Sequence, residues 1–127
     1  MAQSNFTRLR VYQLSESVAD AIWDSVLRWP ILARDTVGKQ IIRSADSIGA
    51  NIAKGAGRGT YRDNRRFIMT ARGSLYETQH WLRRAFKRDL LNDKQVKTLK
   101  PLLDELAPKL NAFLRSLGAR ESDGSCD

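Results

Sequence analysis

An apolar period of four and three residues runs through most of this chain, and it leaves room for one kind of fold. Val37, Ile41, Ala45, Ile48 and Ile52 step by four, four, three and four. Leu99, Leu103, Leu106, Leu110, Phe113 and Leu117 step by four, three, four, three and four. An α-helix turns once in about 3.6 residues, so each set forms a narrow apolar stripe on one face. Strand alternation is nearly absent.

Four segments carry such a stripe. The first runs from about Gln13 to Trp29, with Leu14, Val18, Ile22 and Trp29 inward and Pro30 as its stop. A short linker over Pro30 to Asp35 leads to the second segment, about Thr36 to Ala56. Gly55, Gly57 and Gly59 end it, since glycine accepts cap conformations and weakens helix continuation. The third spans about Tyr61 to Leu90, with Phe67, Ala71, Leu75, Thr78, Leu82 and Phe86 as its core face. Asn92 and Gln95 read as a capping box opening the fourth. There the period passes straight through Pro101 and Pro108, which predicts one bent helix, with a break near Pro101 as the alternative. Gly118 closes it.

The expected fold is all-α: an antiparallel up-down-up-down four-helix bundle over residues 13–117. Residues 1–12 read as an N-terminal extension and 118–127 as a disordered tail.

Composition narrows function. The chain has 127 residues, enough for one core. No run approaches the roughly 18 to 20 apolar residues of a membrane span, and no secretory leader is visible, so no membrane partner is expected. The lone Cys126 forms no internal disulfide and no cysteine metal site, which fits the cytoplasm. The net charge is +8 and the pI about 10.2, a balance that suits RNA or DNA as partner. The charge is uneven. Residues 60–90 hold eight Lys/Arg against three Asp/Glu, whereas residues 14–29 hold one Arg against three acids.

Ile42-Arg-Ser-Ala-Asp-Ser-Ile-Gly-Ala-Asn-Ile-Ala-Lys-Gly55, Gly73-Ser-Leu-Tyr-Glu77 and the opening Leu9-Arg-Val-Tyr-Gln13 resemble a family of small four-helix bundles. That family includes the proteins encoded within intervening sequences of bacterial 23S ribosomal RNA, and the likeness covers roughly Leu9 to Leu117. A more distant likeness is to the accessory variability-determinant proteins of diversity-generating retroelements, basic pentamers that bind nucleic acid and a reverse transcriptase. The resemblance implies a homo-oligomer, a ring of five. It implies no activity. The chain departs from the family pattern at Gly49, where proline is common, and at Lys54, where an acid is common.

Three features are candidates for function. Along the third segment Arg65, Met69, Arg72, Tyr76, His80, Arg83 and Lys87 fall on one ridge, roughly opposite the core face. Arg58, Arg62 and Arg66 lie in and just after the glycine-rich turn before it. Guanidinium and ammonium groups suit phosphate oxygens, and Tyr76 can stack on a base. A solvated face or a subunit interface gives the same pattern. The second feature is a polar seam: Ser44 and Asn51 beside one stripe and Glu77 beside the next, placed to fix register between helices two and three. The third is Glu77 with His80, the one histidine. Two ligands make no metal site, and no nucleophile accompanies them, so no metal, cofactor or catalysis is expected. The function read from the sequence is a non-enzymatic oligomeric bundle that binds RNA or DNA, the alternative being a protein–protein scaffold.

Overall fold

The computed structural model describes residues 5–122. A 3-10 turn, Asn5–Arg8, precedes helix α1, Arg10–Val26. Helix α2 is continuous from Ile31 to Ala56: an α-turn Ile31–Ala33, a π-helical turn Arg34–Gly38 and an α-helix Lys39–Ala56. Helix α3 is Tyr61–Lys87 and α4 is Asp93–Ser122. There is no strand among the described residues. Neighbours pack in the cycle α1–α2–α3–α4–α1, the square of an up-down-up-down bundle.

Three expectations about boundaries need correction. The first helix starts at Arg10, inside the expected extension. The expected linker over Pro30 to Asp35 is mostly helical, and a π turn absorbs the extra residue before the apolar stripe begins at Val37. Helix α4 passes Gly118 and continues to Ser122; the rest of the expected disordered tail lies outside the described residues.

Both prolines sit inside α4, and the helix does not break. Each proline removes one backbone donor. Leu99, Leu106, Leu110, Leu114 and Leu117 are buried on the same helix, so packing holds it together. The capping box forms as expected: the Gln95 amide donates to Asn92 Oδ1 and the Asn92 amide to Gln95 Oε1, each at 2.8 Å. Helix α3 opens with Thr60 Oγ1 accepting from the Asp63 amide at 3.1 Å. It ends in a Schellman turn, with the Leu90 amide on the Ala85 carbonyl and Asp89 at φ 58° where glycine is usual.

The predicted stripe residues of the first two segments, Leu14, Val18, Ile22 and Trp29, then Val37, Ile41, Ala45, Ile48 and Ile52, are all buried, and Val11 and Val26 of α1 join them. In α3 the match is partial. Ala71, Leu75 and Thr78 are buried, but so are Ile68 and Ala85, while Phe67 and Leu82 are half-buried and Phe86 is exposed. At the start of the helix the guanidinium groups of Arg58 and Arg66 cover the Phe67 ring, 4.6 and 5.2 Å from its centre.

Close backbone approaches set the spacing. A Cβ on Gly38 would stand 2.8 Å from Val26 Cγ1, and one on Gly49 2.9 Å from Ser15 Oγ, so glycine lets α2 lie against α1. A Cβ on Gly55 would meet Asn64 Oδ1 at 2.6 Å and the Asn64 carbonyl at 3.1 Å, so the α2–α3 corner is equally tight.

Candidate nucleic-acid interface

The polar seam between α2 and α3 exists, with different members from those expected. Ser44 and Asn51 are buried in it. Thr78 Oγ1 lies 2.9 Å from Ser44 Oγ and 2.8 Å from the Ser74 carbonyl. Ser74 Oγ donates to Ser47 Oγ at 2.9 Å, and Asn51 Nδ2 donates to that hydroxyl and to the Ser47 carbonyl. Glu77 takes no part. It is exposed, and its Oε2 accepts from Trp81 Nε1 one turn away at 3.1 Å. Short hydroxyls reach across a tight helix pair, whereas a Glu at the edge turns to solvent. His80 stacks edge-on against Trp81 and does not join Glu77 in a site. No group of three or more His, Cys, Asp or Glu that could hold a metal occurs among the described residues.

The basic residues separate into two sets. Arg58, Arg62, Arg65, Arg66 and Arg72 gather around the first turns of α3. Arg83 and Lys87 are exposed near its far end, with Arg83 about 27 Å from Arg65 along the axis. Tyr76 lies between them, half its surface exposed. Met69, Tyr76, His80, Arg83 and Lys87 of the ridge are exposed, but Arg65 and Arg72 are half-buried. These two lie on the flank facing α4: Arg72 donates to Asn111 Oδ1 at 3.1 Å, and Arg65 lies across Gly118.

Two adjoining grooves result. One, of about 640 Å³, is lined by Thr60, Arg62, Asp63, Arg65, Arg66 and Met69. The other, of about 200 Å³, lies between α3 and α4 and is lined by Arg65, Met69, Arg72, Asn111, Leu114, Arg115 and Gly118. Arg65 and Met69 belong to both, so the grooves form one trough. Among the described residues, Arg66 alone of its arginines has a carboxylate partner, Asp63, at 3.8 Å. Arg115 and Asn111 were missed from sequence. Their spacing of four puts them on one side of α4, but nothing in the sequence says which helix that side meets.

The opposite face, between α1 and α2, holds an acidic groove. Glu16, Asp20 and Asp46 line this groove of about 370 Å³, floored by Ala19, Ala45 and Gly49. Partial desolvation, with the Asp20 charge second, raises the Asp46 carboxyl above its ordinary value. The basic trough and this acidic groove thus lie on opposite sides of the bundle.

An all-helical square bundle with a basic trough defines a class of small helical-bundle proteins. The family model described as 23S rRNA-intervening sequence protein matches residues 7–112, and the chain belongs to that family. No curated protein matches the sequence. No described helix is long and apolar enough to cross a membrane.

Proposed function

We propose that this protein is a non-enzymatic, self-associating bundle that binds RNA or DNA through the trough between α3 and α4. The observation that carries the reading is the set Arg62, Arg65, Arg72 and Arg115, which line that trough with no carboxylate partner among the described residues. Guanidinium groups at such spacing neutralise successive backbone phosphates and release their counterions. Arg58 and Arg66 extend the positive surface past the Phe67 ring, and Tyr76, Arg83 and Lys87 lengthen it along α3. Binding of this kind is governed by backbone charge and carries little sequence preference.

Self-association rests on a second observation. Trp23, Leu27, Ile31 and Leu32 are large, apolar and more than half exposed in the single chain. We read them as the patch that a second copy covers, one of the two different patches that a ring needs. Five is the copy number implied by the family resemblance. A ring would repeat the trough around an axis and raise affinity through effective concentration.

The test is the affinity of the intact protein for single-stranded and duplex oligonucleotides across a salt series. About four to six phosphate contacts per chain give a slope of log affinity on log salt of roughly −3 to −5 for single or double strands. Arg62→Glu with Arg72→Glu should abolish binding and leave the circular-dichroism spectrum helical. Undiminished affinity in that folded variant would remove the trough from the binding surface and favour the scaffold reading.

A further inference from the structure

The smaller groove has a composition that the larger one lacks. Three arginines from two helices line it, Arg65 and Arg72 from α3 and Arg115 from α4, and no acid does. Elsewhere α4 pairs its charges locally: Arg10 of α1 and Lys109 share Glu105, and Lys100 holds Asp104. In the groove the one polar neutral neighbour is Asn111, whose amide oxygen takes one of the five N–H donors of Arg72 and cancels no charge. Arg65 Nε is shielded from solvent and has no hydrogen-bond partner among the described residues. An unmet donor on a charged group at a shielded position is costly, and an anion seated there would satisfy it.

We infer that the crevice formed by Arg65, Arg72, Asn111 and Arg115 seats a phosphate monoester, the phosphate at the end of a polynucleotide or on a mononucleotide. Volume and charge select that ligand. About 200 Å³ is the space of roughly six waters, enough for one phosphoryl group and part of what it esterifies. A backbone phosphodiester brings one negative charge. A monoester brings about 1.5 to 2 and three terminal oxygens, the better match to three guanidinium groups. Asn111 holds Arg72 in place, and Arg65 runs alongside Gly118, its Nε 3.4 Å from where a Cβ would stand. Met69 and Leu114 keep the walls apolar, which strengthens each charge-assisted bond. For the polynucleotide end the inference rests on the nucleic-acid reading; for the mononucleotide it stands alone.

The intact protein is titrated with labelled single strands of one sequence, ending in a 5′ phosphate, a 3′ phosphate or hydroxyls only, and with inorganic phosphate as competitor. A terminal phosphate should tighten binding roughly tenfold, the scale of one or two charge-assisted hydrogen bonds. Inorganic phosphate should remove that advantage. Arg115 is exposed, so Arg115→Gln should fold normally and abolish the preference, weakening the phosphate-ended strands by more than it weakens the hydroxyl-ended one. Equal affinity for all three strands would overturn the pocket and leave the trough reading intact. Binding of inorganic phosphate, sensitive to Arg115→Gln but without binding of any strand, would uphold the pocket and overturn the trough reading. Binding of neither would overturn both, and displacement by an acidic peptide but not by phosphate would make the crevice a protein-docking site and overturn the inference.

Discussion

Thr78 Oγ1 and Ser44 Oγ meet at 2.9 Å in the middle of the α2–α3 interface, and the Thr78 side chain is completely shielded from solvent. The pair sits one helical turn from the Ser47–Ser74 contact, so two hydroxyl bridges fix one antiparallel register. A slip along the helix would leave these polar groups buried and unmatched, which penalises alternative packings.

Thr78→Val keeps the shape and removes the hydroxyl. It should destabilise the fold by about 1 to 2 kcal/mol, because Ser44 loses its partner across the interface. Ser44→Ala combined with Thr78→Val should cost less than the sum of the two single changes. Urea denaturation of the three variants measures this, and strict additivity would show that the two hydroxyls act independently.

Gly55 and Gly73 make a second contrast. A Cβ on Gly55 would press on Asn64 Oδ1, the Asn64 carbonyl and Phe67 Cβ, whereas nothing lies within 4 Å of a Cβ on Gly73. Gly55→Ala should therefore destabilise by about 1 to 3 kcal/mol through overpacking. Gly73→Ala should stabilise by about 0.5 to 1 kcal/mol through helix propensity. Thermal unfolding midpoints should move in opposite directions, and a gain in both variants would mean that the corner relaxes freely.

These two residue pairs show how far sequence alone reached. The stripes of α1 and α2 were legible because those helices are bounded by proline and glycine and bury one narrow face. Helix α3 was legible in the middle and wrong at the ends. Arg58 and Arg66 cover Phe67 from outside, and Phe86 lies on the last turn, where exposure no longer follows the periodic face. The basic ridge was visible as spacing, but the turn of Arg65 and Arg72 toward α4 was not. Arg72 and Asn111, or Arg65 and Gly118, become neighbours only through interhelical register, which a pattern within one helix does not encode. Glu77 was misplaced for a related reason: its angle beside the stripe was right, and Trp81 one turn away claimed it first.

The acidic groove gives a pH dependence. In the folded chain the Asp46 carboxyl takes its proton at a higher pH than the ordinary 3.8, because it is partly desolvated and near Asp20. The folded state thus holds that proton more tightly than the unfolded chain does, and stability falls as pH rises from 3.8 through the raised value. Glu105 acts in the opposite sense. Its hydrogen bonds from Arg10 depress its carboxyl, so its contribution is present above its ordinary value and is lost as pH falls through the depressed one. Asp46→Asn should be more stable than the parent at pH 7 and lose that advantage near pH 3. An advantage that does not change with pH would show that Asp46 does not titrate differently on folding.

Self-association is tested at the turn between α1 and α2. Trp23 lies on the last turn of α1, Leu27 directly follows that helix, and Ile31 and Leu32 open α2, with Leu32 78% exposed. Fully covering a leucine side chain is worth about 1.5 to 3 kcal/mol, and a ring repeats that gain at every interface. Sedimentation equilibrium at micromolar concentration should give a multiple of the 14.4 kDa chain mass. Leu32→Asp places a charge where the neighbour would sit, and it should return the mass to 14.4 kDa with the helical spectrum unchanged, since Leu32 contributes nothing to the core. The same variant separates the two proposed surfaces. If assembly multiplies weak phosphate contacts, the monomeric variant should bind oligonucleotides more weakly and with a shallower salt slope, although every arginine of the trough is intact. A parent protein that sediments at 14.4 kDa would end the ring reading and leave the trough to act one chain at a time.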